Sequence, residues 1–329
     1  MEKLLEKFTD KYLIMKNNMK NLIKLLSLVF LFGACDSNES IDKKIEDFKS
    51  LKLIERVEPP NWWSGMKTLE LQLLVYGSGI NDLVPRINNS KIELKSIKKT
   101  ENPNYLFLDI LISENSNPDN VEIDFYRKDI LVDRYNFELK KREENAENIE
   151  GFTTSDVMYL ITPDRFANGD LSNDDIEEMR ERPDRNNSYG LHGGDIQGVI
   201  NNLDYIKEMG FTTVWLNPVL ENNMQRASYH GYSTTDYYKI DPRFGTNELF
   251  RELSLKSKDM GIKLVMDMIP NHCGSFHWFF TDPPMQNWFN NQNEFKQTSH
   301  RRETVQDIYA SEIDKKEHAD GWFVETMPD

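Results

Sequence analysis

Two periodicities divide the chain. From Leu51 to about Arg142, apolar residues alternate with polar ones or run together over short stretches, which predicts strands. Leu69 to Tyr76 alternates and then becomes continuously apolar. Tyr105 to Ile112 is a second strand, and Val121 to Tyr126 alternates cleanly. Turn-forming pieces separate them: Gly77-Ser78-Gly79, Asn88-Asn89-Ser90, and Asn115 to Asn120. Short strands so punctuated predict an immunoglobulin-like β-sandwich over residues 51–142. Lys140 to Glu150 is a charged run, so residues 143–150 read as a solvated linker with a domain boundary near residue 150.

Beyond the linker the period changes. Val157 to Thr162, Phe211 to Leu216 and Ile262 to Met268 read as buried-type strands. Gln197 to Met209 carries helical spacing (Val199, Ile200, Leu203, Ile206) and stops at Gly210. A second helix spans Asn247 to Met260, entered by a cap at Thr246 or Asn247 and ended by Gly261. Strand–helix–strand–helix–strand predicts a parallel sheet with right-handed crossovers. It is the start of a (β/α)8 barrel. Eight such units take about 250 residues, and residues 151–329 hold three.

The first 35 residues follow another pattern. Lys20 and Lys24 precede a short apolar run, Leu25 to Phe32, then Gly33, Ala34 and Cys35. The run is too short to span a bilayer. It resembles a bacterial lipoprotein signal, which implies lipidation at Cys35, export, and a periplasmic or outer-membrane/cell-surface location. An amphipathic helix is the alternative, since Leu4, Leu5 and Phe8 have helical spacing. Met19 is a natural start for such a signal. Residues 36–50 are polar and charged, as a tether would be.

Composition changes this picture little. Apolar residues at 38% and charged ones at 29% suit a globular chain. A net charge of −15, without a basic cluster, argues against nucleic acid. Cys35 and Cys273 are the two cysteines, and neither has a metal-type spacing partner.

Three strings carry candidate chemistry. Asn168, Asp170, Asn173 and Asp174 crowd one Gly-containing loop, with Asp195 further on in His192-Gly193-Gly194-Asp195. Crowded hard oxygens are what Ca²⁺ requires, and they are equally what a turn is made of. Tyr229-His230-Gly231-Tyr232 is either a ligand-facing loop or an aromatic loop packed on the barrel. Asp267-Met268-Ile269-Pro270-Asn271-His272 falls at the carboxyl end of the third strand, where barrels build their sites.

Together with Asp164-Arg165-Phe166, and in this order, the strings resemble the opening half of an α-amylase-family glycoside hydrolase. Pro59-Pro60-Asn61-Trp62-Trp63 and the strands after it resemble the N-terminal module of cyclomaltodextrinase- and neopullulanase-like members. The resemblance implies a retaining hydrolase of α-1,4-glucans: starch, maltodextrin, cyclodextrin or pullulan. It implies Ca²⁺ on Asn168, Asp170, Asn173, Asp174, the Gly193 carbonyl and Asp195. It places Tyr232 under the sugar ring, with His230 nearby and His272 hydrogen-bonded to the sugar. Asp267 would support its neighbours, and Asn271 faces a second Ca²⁺ in many members. Residues 271–329 would form the excursion called domain B. N-terminal modules of such relatives often build dimers, so a homodimer is implied.

The family's nucleophile is an Asp in a Gly-x-Arg-x-Asp string, and its acid/base is a Glu further on. No Gly-x-Arg-x-Asp string follows His272. The expectation is an N-terminal portion of such a hydrolase without its two catalytic carboxylates. The alternatives are a non-catalytic glucan-binding lipoprotein and an inactive truncated product.

Overall fold

A computed structural model describes residues 52–142, 151–292, 294–298, 302–319 and 321–329. The leader (1–35) with Cys35, the tether (36–50) and the linker (143–150) lie outside the described residues.

Residues 52–142 form two facing four-stranded sheets. One has the order β1 (Arg56–Glu58), β3 (Glu70–Tyr76), β6 (Tyr105–Ile112), β5 (Ile92–Lys99), all antiparallel. The other has the order β2 (Asn61–Trp63), β8 (Ile130–Lys140), β7 (Asp119–Arg127), β4 (Val84–Ile87), with β2 and β8 parallel. Register explains the core. Leu73 pairs with Leu108 and Val75 with Leu106, so all four share one buried face. That face meets Ile123, Phe125 and Phe137 of the other sheet. Full burial of such a side chain is worth about 1.5–3 kcal/mol. Lys128 and Asp129, both at positive φ, make the two-residue turn between β7 and β8.

In residues 151–329, β9 (Met158–Ile161), β10 (Thr213–Leu216) and β13 (Lys263–Met266) form a parallel sheet in the order β13-β10-β9. Four helical pieces precede or join the site: α1 (Pro163–Phe166), α2 (Ile196–Asn201), α3 (Leu203–Glu208) and α4 (Asn247–Asp259). Tyr159, Ile161, Val214, Leu216 and Leu264 pack with Val199, Leu203, Ile206 and Leu253 in one core. On the opposite face, Leu160 and Trp215 stand side by side in register and are exposed.

The structure differs from the sequence-based expectation in two places and decides between two caps in a third. The single helix expected over Gln197 to Met209 breaks at Asn202, whose backbone leaves helical geometry and whose amide donates to Gly198 O at 2.8 Å. Thr246 caps α4 by accepting from Leu249 N, while Asn247 bridges Ile240 N and Tyr238 O. A hairpin of β11 (Leu220–Glu221) and β12 (Asp236–Ile240) also leaves the end of β10. It was not expected, because two residues carry no period.

The excursion after β13 is gripped by the β module. Asp282 follows α5 (Trp278–Thr281), and its carboxylate accepts from Tyr76 Oη at 3.0 Å, Asn102 Nδ2 at 2.5 Å and Asn104 Nδ2 at 2.8 Å. Tyr105 Oη donates to the Asp282 carbonyl. Tyr105 stacks on Trp278 with ring centroids 5.7 Å apart, and Phe107 meets Trp288. Trp278 and Trp288 thus pack against aromatic residues of the β module. Two further short helices, α6 (Arg302–Gln306) and α7 (Glu312–Ala319), complete the described residues.

Candidate functional site

Asp164 organises the first loop. Its buried carboxylate accepts from His192 N at 2.9 Å and Gly193 N at 3.1 Å, and it pairs with Arg165. The Asp164 carbonyl accepts from Gly194 N. Gly193 has φ +86, and a side chain there would press on Asn168 and Asp174. Asp195 is fully buried and caps α2. It accepts from Gly198 N at 2.6 Å, Gly169 N at 3.1 Å and Asp170 N at 2.8 Å. One carboxylate thus ties the 168–174 loop to the start of α2.

Around this tie the expected oxygens gather. Asn168 Nδ2 donates to Asp174 Oδ1 at 2.6 Å, and Asn173 Nδ2 lies 3.5 Å from Asp195 Oδ2. Asn168 Oδ1 and Asn173 Oδ1 are buried and accept nothing. An orphaned buried acceptor costs about 1–3 kcal/mol. A hard cation between two amide oxygens and a carboxylate would satisfy both. Asp170 sits less centrally, because its Oδ1 accepts from Ser172 N and Oγ. Among the described residues, no three His, Cys, Asp or Glu side chains converge as metal ligands. Any cation here would therefore depend on the amides.

The second cluster lies past the ends of β10 and β13. Asp267 Oδ2 accepts from Tyr232 Oη and from Trp215 Nε1, both at 3.2 Å. His272 Nε2 lies 3.0 Å from the Tyr232 carbonyl, and its Nδ1 lies 3.3 Å from Asn271 Nδ2. These partners assign the neutral ring with its proton on Nε2. Burial pushes the His272 pKa below its ordinary value, which agrees with a neutral ring; the Tyr232 carbonyl and Asp329 pull the other way. His230 Nδ1 accepts from Tyr232 N at 3.0 Å, and burial lowers its pKa too. Burial also raises the Tyr232 phenol, helped by Asp267, so it stays a neutral donor. Gly231, at φ +81 and close against Pro218, is the pivot between His230 and Tyr232.

Tyr232, His230, Asp267 and His272 are therefore brought into one cluster of half-buried rings and one carboxylate. Three neighbours join them. Trp215 reaches Asp267 from the middle strand. Phe323 stacks on His272, 5.4 Å away at 12°. Arg165 lies over the Tyr229 ring at 4.1 Å. Trp215 was detectable as the aromatic one place before the end of the expected strand Phe211 to Leu216.

Two family descriptions match the chain. Residues 56–143 match the family described as cyclomaltodextrinase, N-terminal, and residues 160–326, just over half of the chain, match alpha amylase, catalytic domain. A cyclomaltodextrinase of Thermoanaerobacter pseudethanolicus is 43% identical over 132 residues, 39% of this chain and 22% of that one. Neopullulanase 2 of Thermoactinomyces vulgaris is 39% identical over 139 residues, 40% of this chain and 23% of the relative. The crystal structure of an Anoxybacillus α-amylase shares 38% identity over 45% of this chain and 30% of its own, with a TM-score of 0.40. The chain thus spans under a quarter of the length of these two curated relatives. With a cyclomaltodextrinase-type module ahead of a matched catalytic-domain segment, the chain belongs to the α-amylase family of glycoside hydrolases.

Proposed function

We propose that this chain recognises α-1,4-linked glucans such as maltodextrins and cyclodextrins, for hydrolysis with retention. The observation that carries the reading is the cluster of Tyr232, Asp267 and His272 at the carboxyl ends of adjacent parallel strands. The Tyr232 ring offers a face to the apolar side of a pyranose. Asp267 orients that ring through its hydroxyl. Neutral His272 exchanges its weak Asn271 contact for a sugar hydroxyl, and His230 borders the same ring. Relatives named cyclomaltodextrinase and neopullulanase support the substrate class. Retaining hydrolysis also needs a nucleophile and an acid/base. No Asp or Glu of these residues is assigned either role; the part proposed for them is binding and orientation.

Calcium on Asn168, Asn173, Asp174 and Asp195, with Asp170 and the Gly193 carbonyl completing the set, would supply a cross-link between the first loop and α2. Export through the lipoprotein-type signal, with a lipid on Cys35 as membrane anchor, and dimerisation through the β module belong to the same proposal.

The test is calorimetric titration of the 329-residue protein with maltoheptaose and β-cyclodextrin, followed by a chromogenic maltoside. Binding lost in Tyr232→Ala and His272→Ala supports the site. Absence of binding by the wild type overturns it. Binding without turnover confines the chain to glucan recognition, whereas turnover would assign the carboxylate pair to it.

A further inference from the structure

The turn that carries His230 and Tyr232 is held by a residue from a different loop. Ala227 is a non-glycine residue in the left-handed region, at φ 57 and ψ 27. Few side chains adopt that conformation unless their surroundings impose it. Here the constraint is Glu181. Its Oε1 accepts from Ala227 N at 2.9 Å and its Oε2 from Ser228 N at 2.6 Å. Both oxygens of one carboxylate thus grip two consecutive backbone N–H groups at the entry to the Ser228–His230 turn.

The grip is anchored at its base. Glu181 O accepts from Arg243 Nη1 at 3.3 Å, and Arg243 is buried in a pair with Asp241 at 2.7 Å. The preceding Arg180 donates its backbone N–H to Asn223 Oδ1 at 2.8 Å. Ser228 adds two longer ties, its Oγ donating to Met224 O and its carbonyl accepting from Asn222 Nδ2, both at 3.4 Å, while Gln225 and Arg226 are exposed. The two residues that pivot from this turn, His230 and Tyr232, hold each other through the His230 Nδ1 bond.

We infer that Glu181 is the positioning residue of the sugar cluster: it does not touch the ligand but fixes the turn from which His230 and Tyr232 project. Its effect on ligand rests on the glucan reading above; its grip on the turn does not. Substitution by alanine frees Ala227 to leave the left-handed region, and the Arg226–Ala227 peptide opens to protease. Glu181→Gln keeps the shape of the side chain but presents one acceptor and one NH₂ to two donors. It therefore loses part of the same grip without the loss of volume.

The experiment uses the full chain and its Glu181→Ala and Glu181→Gln variants. Tryptic cleavage after Arg226 is timed against cleavage after Lys258 on α4, and maltoheptaose affinity is titrated in parallel. Expected is cleavage after Arg226 faster by about tenfold in Glu181→Ala and by less in Glu181→Gln, with Lys258 unchanged. Maltoheptaose affinity should fall in the same order. Unchanged cleavage in Glu181→Gln, which keeps the fold if the alanine variant does not, would overturn the proposal. So would faster cleavage with unchanged affinity. Faster cleavage in a protein whose wild type binds no maltoheptaose supports the grip and sinks the glucan reading.

Discussion

Arg56 and Asp236, 180 positions apart in sequence, form a 2.9 Å ion pair that joins strand β1 of the β module to strand β12 beside the sugar cluster. Arg56 also lies over the Trp278 ring at 5.5 Å. Asp236 is buried while Arg56 is half-buried, so removing the arginine leaves a buried carboxylate without its cation. Arg56→Ala is expected to lower stability by about 1–2 kcal/mol, and Asp236→Asn by less. Thermal melts of both variants check this. An unchanged Arg56→Ala melt would mean that solvent screens the pair completely.

Asp282 concentrates three side-chain donors from the β module on one carboxylate. Asp282→Ala takes the carboxylate from Tyr76 and Asn104 and leaves Asn102 only its second bond, to the Pro283 carbonyl at 2.9 Å. Its expected cost is about 2–4 kcal/mol, larger than that of a surface ion pair. Denaturant unfolding measures it. A cost below that of Arg56→Ala would show that the aromatic stack, not Asp282, holds the excursion.

The same junction has two opposed titrations. Burial pushes Glu58 up to about 7; neighbouring Arg56 pulls it down and Asp236 pushes it up. The folded state thus binds this proton more tightly than the unfolded chain does. Its contribution to stability is full below about pH 4.5 and is lost as pH rises through about 7. Buried His277 behaves oppositely: burial lowers it to about 4 from an ordinary 6.5, so its contribution is present above 6.5 and lost as pH falls through 4. Glu58→Gln is expected to stabilise the protein at pH 8 relative to wild type and to leave the His277-driven fall at acid pH. Melting temperatures between pH 4 and 8 decide this. Parallel curves for wild type and Glu58→Gln would refute it.

Calcium is expected to raise the melting temperature, and Asn173→Ala to abolish the rise. The reasoning is local: Asn168 Oδ1 and Asn173 Oδ1 are buried acceptors that no protein donor reaches. Identical melts in calcium and in chelator would remove the cation from the description of this loop.

Much of the architecture was legible where the period is long or the string is dense. Tyr105 to Ile112 forms a strand over its expected bounds, because an apolar run of eight residues, broken only by Asp109 and bounded by turn-forming pieces, fixes its length. Asp164, Asp195, Tyr232, Asp267 and His272 were each visible in family strings, and the fold brings them to two neighbouring clusters. What was not legible is relational. Asn202 interrupts a helical pattern through a side-chain bond that competes with the backbone. Trp215 and Asp267 meet across 52 positions, and Glu181 meets Ala227 across 46. Such pairs follow from topology, and no window of sequence contains them.

The loop between α1 and α2 carries both the orphaned oxygens at Asn168 and Asn173 and, a few residues on, Glu181. Two sites on one tether are bound by reciprocity. If metal at the first end stiffens the tether and so tightens sugar at the second, sugar must tighten metal by the same factor. A calcium titration repeated in saturating maltoheptaose would then report on the far end of the loop, and the ratio of the two dissociation constants would be the coupling itself.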